Sequence, residues 1–202
     1  MPSPLAWVLV GLAANPLETV AAAFGIVSVW LSTREHIASW PTALVNVALY
    51  FVVFRRARLY ADMGLQAIYF GLSLYGWYEW KYGGTGRTEL PVSRTTRAQA
   101  MVLVPLGLLG SLGLGLLLAR TTDAALPWLD SALAVTSLLA QWMMTRKLLE
   151  NWVVWVVADV AYVAMFASKG LYVTTGLYAV FLVLAAKGYF DWRRSWLARP
   201  SS

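Results

Sequence analysis

The chain has 202 residues, 59% of them hydrophobic and 13% charged, with a mean hydropathy of +0.61. Such a composition describes an integral membrane protein and excludes an ordinary soluble domain. The absence of cysteine excludes disulfides, thiol chemistry and cysteine metal sites, and the lone His36 excludes a histidine metal cluster. The net charge of +6 does not point to nucleic acid. Its basic residues sit in short loops between apolar runs, the pattern that orients helices in a bilayer.

Residues 1–16 form a short N-terminal segment without the basic start of a cleaved signal, apolar up to Asn15-Pro16. A bilayer is crossed by about 20 apolar residues, with about 17 sufficing. That measure predicts seven helices, over 17–31, 37–54, 59–80, 98–119, 126–144, 151–167 and 171–190. None shows strand alternation, so the fold class is an all-α integral membrane bundle. Pro41 opens the second helix, where a first turn tolerates it, and Pro105 interrupts the fourth. The stretch from Tyr82-Gly-Gly-Thr-Gly-Arg87 to Arg97 is the longest loop and the candidate linker. Gly83-Gly84-Thr85-Gly86 lacks the Lys-Ser/Thr of a phosphate loop and reads as a flexible connection.

Sliding the chain along itself by 112 residues, without a gap, superposes Trp30 on Trp142, Thr33-Arg34 on Thr145-Arg146, and Trp40 on Trp152. The same shift superposes Tyr50 on Tyr162, Phe54 on Phe166, Leu59-Tyr60 on Leu171-Tyr172, and Gly64-Leu65 on Gly176-Leu177. It also superposes Gly76 on Gly188, Glu79 on Asp191, and Trp80 on Trp192. Self-similarity at a fixed offset indicates duplicated architecture. Residues 17–80 are therefore expected to be one three-helix repeat, 126–192 a second, and 98–119 a linker helix: a 3+1+3 plan. The extra crossing lets the second triplet enter with the orientation of the first. Parallel repeats with a solute site between them near mid-membrane are a transporter plan. In the linker helix Gly107, Ser111 and Gly115 recur at the four-residue spacing that permits close helix packing, within the protomer or against another subunit.

One set of loop ends carries Arg34, Lys81, Arg87, Arg94, Arg97, Arg146, Lys147, Lys187, Arg193, Arg194 and Arg199; the other carries Arg55, Arg56, Arg58, Arg120 and Lys169. That bias places the C-terminus and the 81–97 loop in the cytoplasm and the N-terminus outside.

The chemistry concentrates in the sixth helix. Trp152, Trp155, Asp159 and Tyr162 fall on one helical face. A carboxylate at membrane depth costs at least about 2.5 kcal/mol and marks a functional position. The offset matches Trp152, Trp155 and Asp159 with Trp40, Ala43 and Val47, so the second indole and the acid belong to one copy. Two competing readings are an interfacial aromatic belt for the tryptophans and an ion pair of Asp159 with Lys169 or Lys187. Other polar groups inside apolar segments are Asn46, Gln66, Tyr69, Ser73, Ser137, Gln141, Thr175 and Tyr178. In lipid such groups bond across helices or line a wet cavity. Asn46 and Gln66 stand out, because amides both donate and accept. The predicted binding set is Trp152, Trp155, Asp159, Gln66, Asn46, Tyr69, Gln141, Tyr162 and Tyr178. No catalytic set, metal site or cofactor is implied.

With the Trp-x-x-Trp-x-x-x-Asp run on helix six of such a repeat, the chain resembles the PnuC family of bacterial vitamin transporters. Thr145-Arg146-Lys147-Leu-Leu-Glu150-Asn151-Trp152 and Tyr75-Gly76-Trp77-Tyr78-Glu79-Trp80 share in the resemblance, which covers nearly the whole chain. It implies a SWEET-like fold, a homotrimer in the bacterial inner membrane, and facilitated diffusion of nicotinamide riboside trapped by a cytoplasmic kinase. It also implies that Trp152 and Trp155 contact the nicotinamide ring, that Asp159 stands where relatives carry Asn or Asp, and that Gln66 and Asn46 are cavity groups. Thiamine is likewise a flat cation and remains an alternative solute; neutral riboflavin gives Asp159 less to do. A retinal photoreceptor using Lys187 and a membrane enzyme are competing classes. The first lacks a central lysine, the second a nucleophile–base or metal set.

Overall fold

The computed structural model describes residues 16–58, 60–123, 126–168 and 170–198. The N-terminal segment up to Asn15 and Lys169, a predicted partner for Asp159, lie outside that range. Among the described residues there are seven helices: α1 Pro16–Thr33, α2 Ser39–Arg56, α3 Tyr60–Tyr82, α4 Arg97–Thr121, α5 Pro127–Thr145, α6 Asn151–Ser168 and α7 Tyr172–Leu197. The sequence-based boundaries hold within two residues except at the end of α7, which continues past 190 to Leu197. The apolar run stops at Phe190. The Lys187–Asp191 ion pair one turn apart and the fully buried Trp192 carry the helix onward.

Helix ends follow local chemistry. Thr96 and Gln99 form a reciprocal capping box at the start of α4, Thr96 Oγ1 accepting from the Gln99 N–H and Gln99 Oε1 from the Thr96 N–H. Pro127 occupies the first turn of α5. Helices α1 and α5 stop in the same manner. Glu35 and Lys147 adopt left-handed backbone, with φ of 55° and 47°. Their N–H groups bond back to the carbonyls of Ser32 and Met144, and those of His36 and Leu148 to Leu31 and Met143. The turn after α2 places Arg58 at φ 61°, and that before α7 places Gly170 at φ 71°.

Six helices close into a ring. In order around it, α1 touches α2, α2 touches α3, α3 touches α5, α5 touches α6, α6 touches α7, and α7 returns to α1. Helix α4 stands outside, against α5 alone. Its small residues account for that docking: a Cβ on Gly107, Gly110 or Gly115 would lie 3.0, 3.3 or 2.5 Å from Leu139, Val135 or Trp128 of α5. The small-residue spacing thus packs within the chain. The rest of α4, including Met101 and Leu109, faces outward, as its uniformly apolar sequence requires. Helix α4 runs unbroken through Pro105. By length and hydropathy α1, α4 and α6 can each cross a membrane.

The later part of the loop between α3 and α4 is docked, while Gly83, Thr85 and Gly86 of the glycine-rich part before it are exposed. The Leu90 N–H bonds to the Trp80 carbonyl, and Ser93 pairs with the α5–α6 turn through bonds to Lys147 and from Leu149. Val92 is 1% exposed. Glu150 accepts from the Thr95 N–H and hydroxyl and from Arg94. Burial pushes the Glu150 carboxyl up, but these donors outweigh it and hold the group below the usual carboxylate range.

Candidate functional site

The ring has two chemically different ends. At the end carrying the α1–α2, α3–α4 and α5–α6 connections, four indoles meet. Trp40 lies edge-on to Trp80 at 5.2 Å and Trp152 edge-on to Trp192 at 5.3 Å, while Trp80 and Trp192 meet at 5.7 Å. Each such pair contributes about 0.5–1.5 kcal/mol beyond burial. The Trp80 indole N–H donates to the Met144 carbonyl and that of Trp192 to the Ser32 carbonyl. Gly76 admits the ring of Trp40, and Gly188 that of Trp152; an added Cβ would sit 2.2 and 2.5 Å from the indoles. Every one of these pairs is matched by its counterpart 112 residues along the chain.

The other end is built of tyrosines. Tyr162 stacks on Phe166 and lies 4.5 Å from Tyr178, which also stacks on Phe166. The Tyr162 hydroxyl is 3.3 Å from Ser137 Oγ, and Tyr69 approaches the same serine. Asp159 is 3% exposed, lies in electrostatic range of Tyr162 and Tyr178, and has no hydrogen bond or ion pair among the described residues. The predicted alternative in which Lys187 pairs with it does not occur, because Lys187 pairs with Asp191 on its own helix.

The stripe predicted on α6 points inward: Trp152 and Asp159 are buried and Trp155 and Tyr162 half-buried, while Val153, Val157 and Val160 face outward. The structure brings Asp159, Tyr162, Tyr178 and Tyr69 together, with Trp155 packed against the tryptophan cluster. Trp152 sits within that cluster at 0% exposure and presents no surface to a solute in this arrangement. This burial also overturns the aromatic-belt alternative for it. Asn46 is spent on another helix, its Nδ2 donating to the Ala21 carbonyl at 2.6 Å. Gln66 lines a groove between α2 and α3 with Val47, Phe51 and Phe70. Gln141 lies half-buried one turn beyond Ser137 on α5. The predicted binding set omits Phe166, a wall of the tyrosine cluster, and Ser137, which the sequence offered only as a polar group that bonds across helices or lines a cavity. The four-residue spacing of Tyr162 to Phe166 was the available signal.

The chain has counterparts among known proteins. Residues 15–194 match the family described as nicotinamide mononucleotide transporter. The chain belongs to that family. It is 29% identical to the nicotinamide riboside transporter PnuC of Escherichia coli strain K12, over 92% of this chain and 88% of the relative. It is 25% identical to the riboflavin/roseoflavin transporter RibM of Streptomyces davaonensis, over 87% of this chain and 83% of the relative. A solved structure, of the vitamin B3 transporter PnuC, superposes with a TM-score of 0.72 at 26% identity, covering 94% of this chain and 87% of the other. The protein is therefore a bacterial inner-membrane transporter of the PnuC type and not an enzyme.

Proposed function

We propose that this transporter carries nicotinamide riboside into the cell by facilitated diffusion. The observation that carries the reading is Asp159, a buried carboxylate without a hydrogen-bonding or ionic partner among the described residues, set beside Tyr162 and Tyr178. A carboxylate so placed awaits a positive charge or hydroxyl donors from a ligand. Nicotinamide riboside supplies both, a pyridinium and a ribose. A cation over an aromatic face gains about 0.5–2 kcal/mol, so Trp155, Tyr162 and Tyr178 suit the pyridinium ring. The phosphate of the mononucleotide would meet the Asp159 carboxylate with like charge, which favours the riboside. Trp152 backs the site; Tyr69 and Gln141 offer polar contacts, and Gln66 and Asn46 are more remote candidates.

The two matched halves support a 3+1+3 arrangement of parallel repeats, SWEET-like, with α4 as linker. The basic bias puts the tryptophan end and the C-terminus in the cytoplasm and the N-terminus outside. The outward face of α4 is available for a homotrimer, and phosphorylation by a cytoplasmic kinase would trap the solute. A flavin is the second reading, favoured by the similarity to RibM and by the flat stack of Tyr162, Phe166 and Tyr178.

Calorimetric titration of the purified protein with nicotinamide riboside, thiamine and riboflavin tests the reading. Nicotinamide riboside should bind at least tenfold more tightly than either competitor. Tighter binding of thiamine or riboflavin overturns the solute assignment.

A further inference from the structure

The two diametric contacts at the tryptophan end carry an inference about how the solute leaves. In the ring, α1 and α5 stand opposite each other and make no helix contact among the described residues; the same is true of α3 and α7. Two side-chain contacts nevertheless cross the ring there. Glu35 at the end of α1 and Lys147 at the end of α5 form an ion pair at 3.1 Å, and Trp80 of α3 meets Trp192 of α7. The ammonium of Lys147 also lies 4.6 Å over the Trp80 ring, joining the two crossings into one plug. Lys147 is 95% enclosed, with a side-chain exposure of 5%.

Glu35 and Lys147 are counterparts, 112 residues apart. Both occupy the left-handed position that terminates their helices, so the same turn in each half aims a side chain at the other half. Identical residues there would repel or leave a gap. Opposite charges make the turns complementary. A left-handed backbone on non-glycine residues is sparsely populated, and here it occurs at both of the facing helix ends.

We propose that the Glu35–Lys147 pair is the cytoplasmic gate of the carrier. It holds the tryptophan end shut in the conformation described here and must part, drawing the turns of α1 and α5 away from each other, before a solute beside Asp159 can exit. The assignment rests on the reading of the chain as a carrier. It does not depend on which solute is carried. The gate pair consists of positioning residues, since neither touches the site at Asp159.

The test uses the full chain, which has no native cysteine. Ser73 lies on α3 one turn before Gly76, 1% exposed, with its hydroxyl unpartnered among the described residues. A Ser73→Cys chain is reconstituted in vesicles and labelled with a membrane-impermeant maleimide from each side in turn. Adding Glu35→Gln should speed labelling from the tryptophan-end side at least threefold and leave the other side unchanged. The swapped pair Glu35→Lys with Lys147→Glu should return labelling to the Ser73→Cys rate. Unchanged labelling in Glu35→Gln overturns the gate. So does equal acceleration from both sides, which reports general loosening, or a swap that fails to restore closure. Thiol labelling needs no solute, so failure of nicotinamide riboside to bind leaves this result intact. Acceleration confined to the outer membrane face keeps the gate and overturns the orientation.

Discussion

The tryptophan end and the tyrosine end use the same pairs of helices to opposite purposes. At the tryptophan end the two halves agree group for group: Trp40 with Gly76 and Trp80 is answered by Trp152 with Gly188 and Trp192. At the tyrosine end the halves share a stacked pair, Tyr50–Phe54 and Tyr162–Phe166, and then part company. Val47 in one half corresponds to Asp159 in the other, and Gln66 to Tyr178. What is built twice holds the helices together, since the loss of either copy leaves an indole without its slot. On the proposed reading, what is built once would give a solute one orientation, because a symmetric pocket would offer a cation two equal places.

The largest effect that breaks this comparison is steric. Gly76→Val and Gly188→Val each drive a side chain into an indole ring already closer than van der Waals contact to the first added carbon. Each should cost about 3 kcal/mol, the upper end of overpacking losses, read as a lowered thermal unfolding midpoint in detergent. Similar losses from the two variants support equal structural duty; tolerance of one alone ends the equivalence. The next effect separates the halves. Asp159→Leu should weaken nicotinamide riboside binding at least tenfold, about 1.4 kcal/mol, while Val47→Thr at the counterpart position leaves calorimetric affinity unchanged. Equal losses at both would place the solute on the axis between the halves. Smaller again, Asn46→Leu should destabilise the fold by about 0.6–1.7 kcal/mol, the range of a single bond between membrane helices. It should leave affinity alone if the bond to the Ala21 carbonyl is that residue's whole role.

Much of this architecture was legible in the residues. Seven apolar runs located the helices because a bilayer imposes a minimum length, and an inward stripe on α6 followed from periodicity alone. The role of Trp152 was harder to read. Its spacing to Trp155 and Asp159 suggested a ligand wall, but its counterpart Trp40 sits on Gly76 as it sits on Gly188. Retention of an indole–glycine pair in both halves is the mark of packing. Asn46 is ambiguous for a related reason: an amide in an apolar helix reads alike whether it bonds a solute or a neighbouring carbonyl, and one of its donors is taken by Ala21. The Glu35–Lys147 pair was not read at all. Its members lie just beyond helix ends, where charge is ordinary, and only the ring's closure brings them face to face. The docking of residues 90–95 was not read either, because local composition does not reveal the α5–α6 turn that receives them.

The smallest effect concerns that docking, and it sharpens the comparison by asking how far the tryptophan end extends. Glu150 ties the linker to the α5–α6 turn through Thr95 and Arg94, and its carboxyl is held below the ordinary range. A carboxyl whose folded value is depressed contributes stability that is complete above its unfolded value, about 4.3, and disappears as pH falls through the lower folded value. Acid, not alkali, should therefore release the linker. Hydrogen exchange at the Ser93 and Leu149 amides, which bond across this junction, should accelerate below about pH 4 while the Trp80 and Trp192 indole N–H groups stay protected. Glu150→Gln should remove the acid dependence and lower stability at neutral pH by less than about 1 kcal/mol, because water screens the Arg94 contact. If the indole protons exchange together with the linker amides, the linker and the four tryptophans open as one unit, and the plug reaches from the ring to the surface.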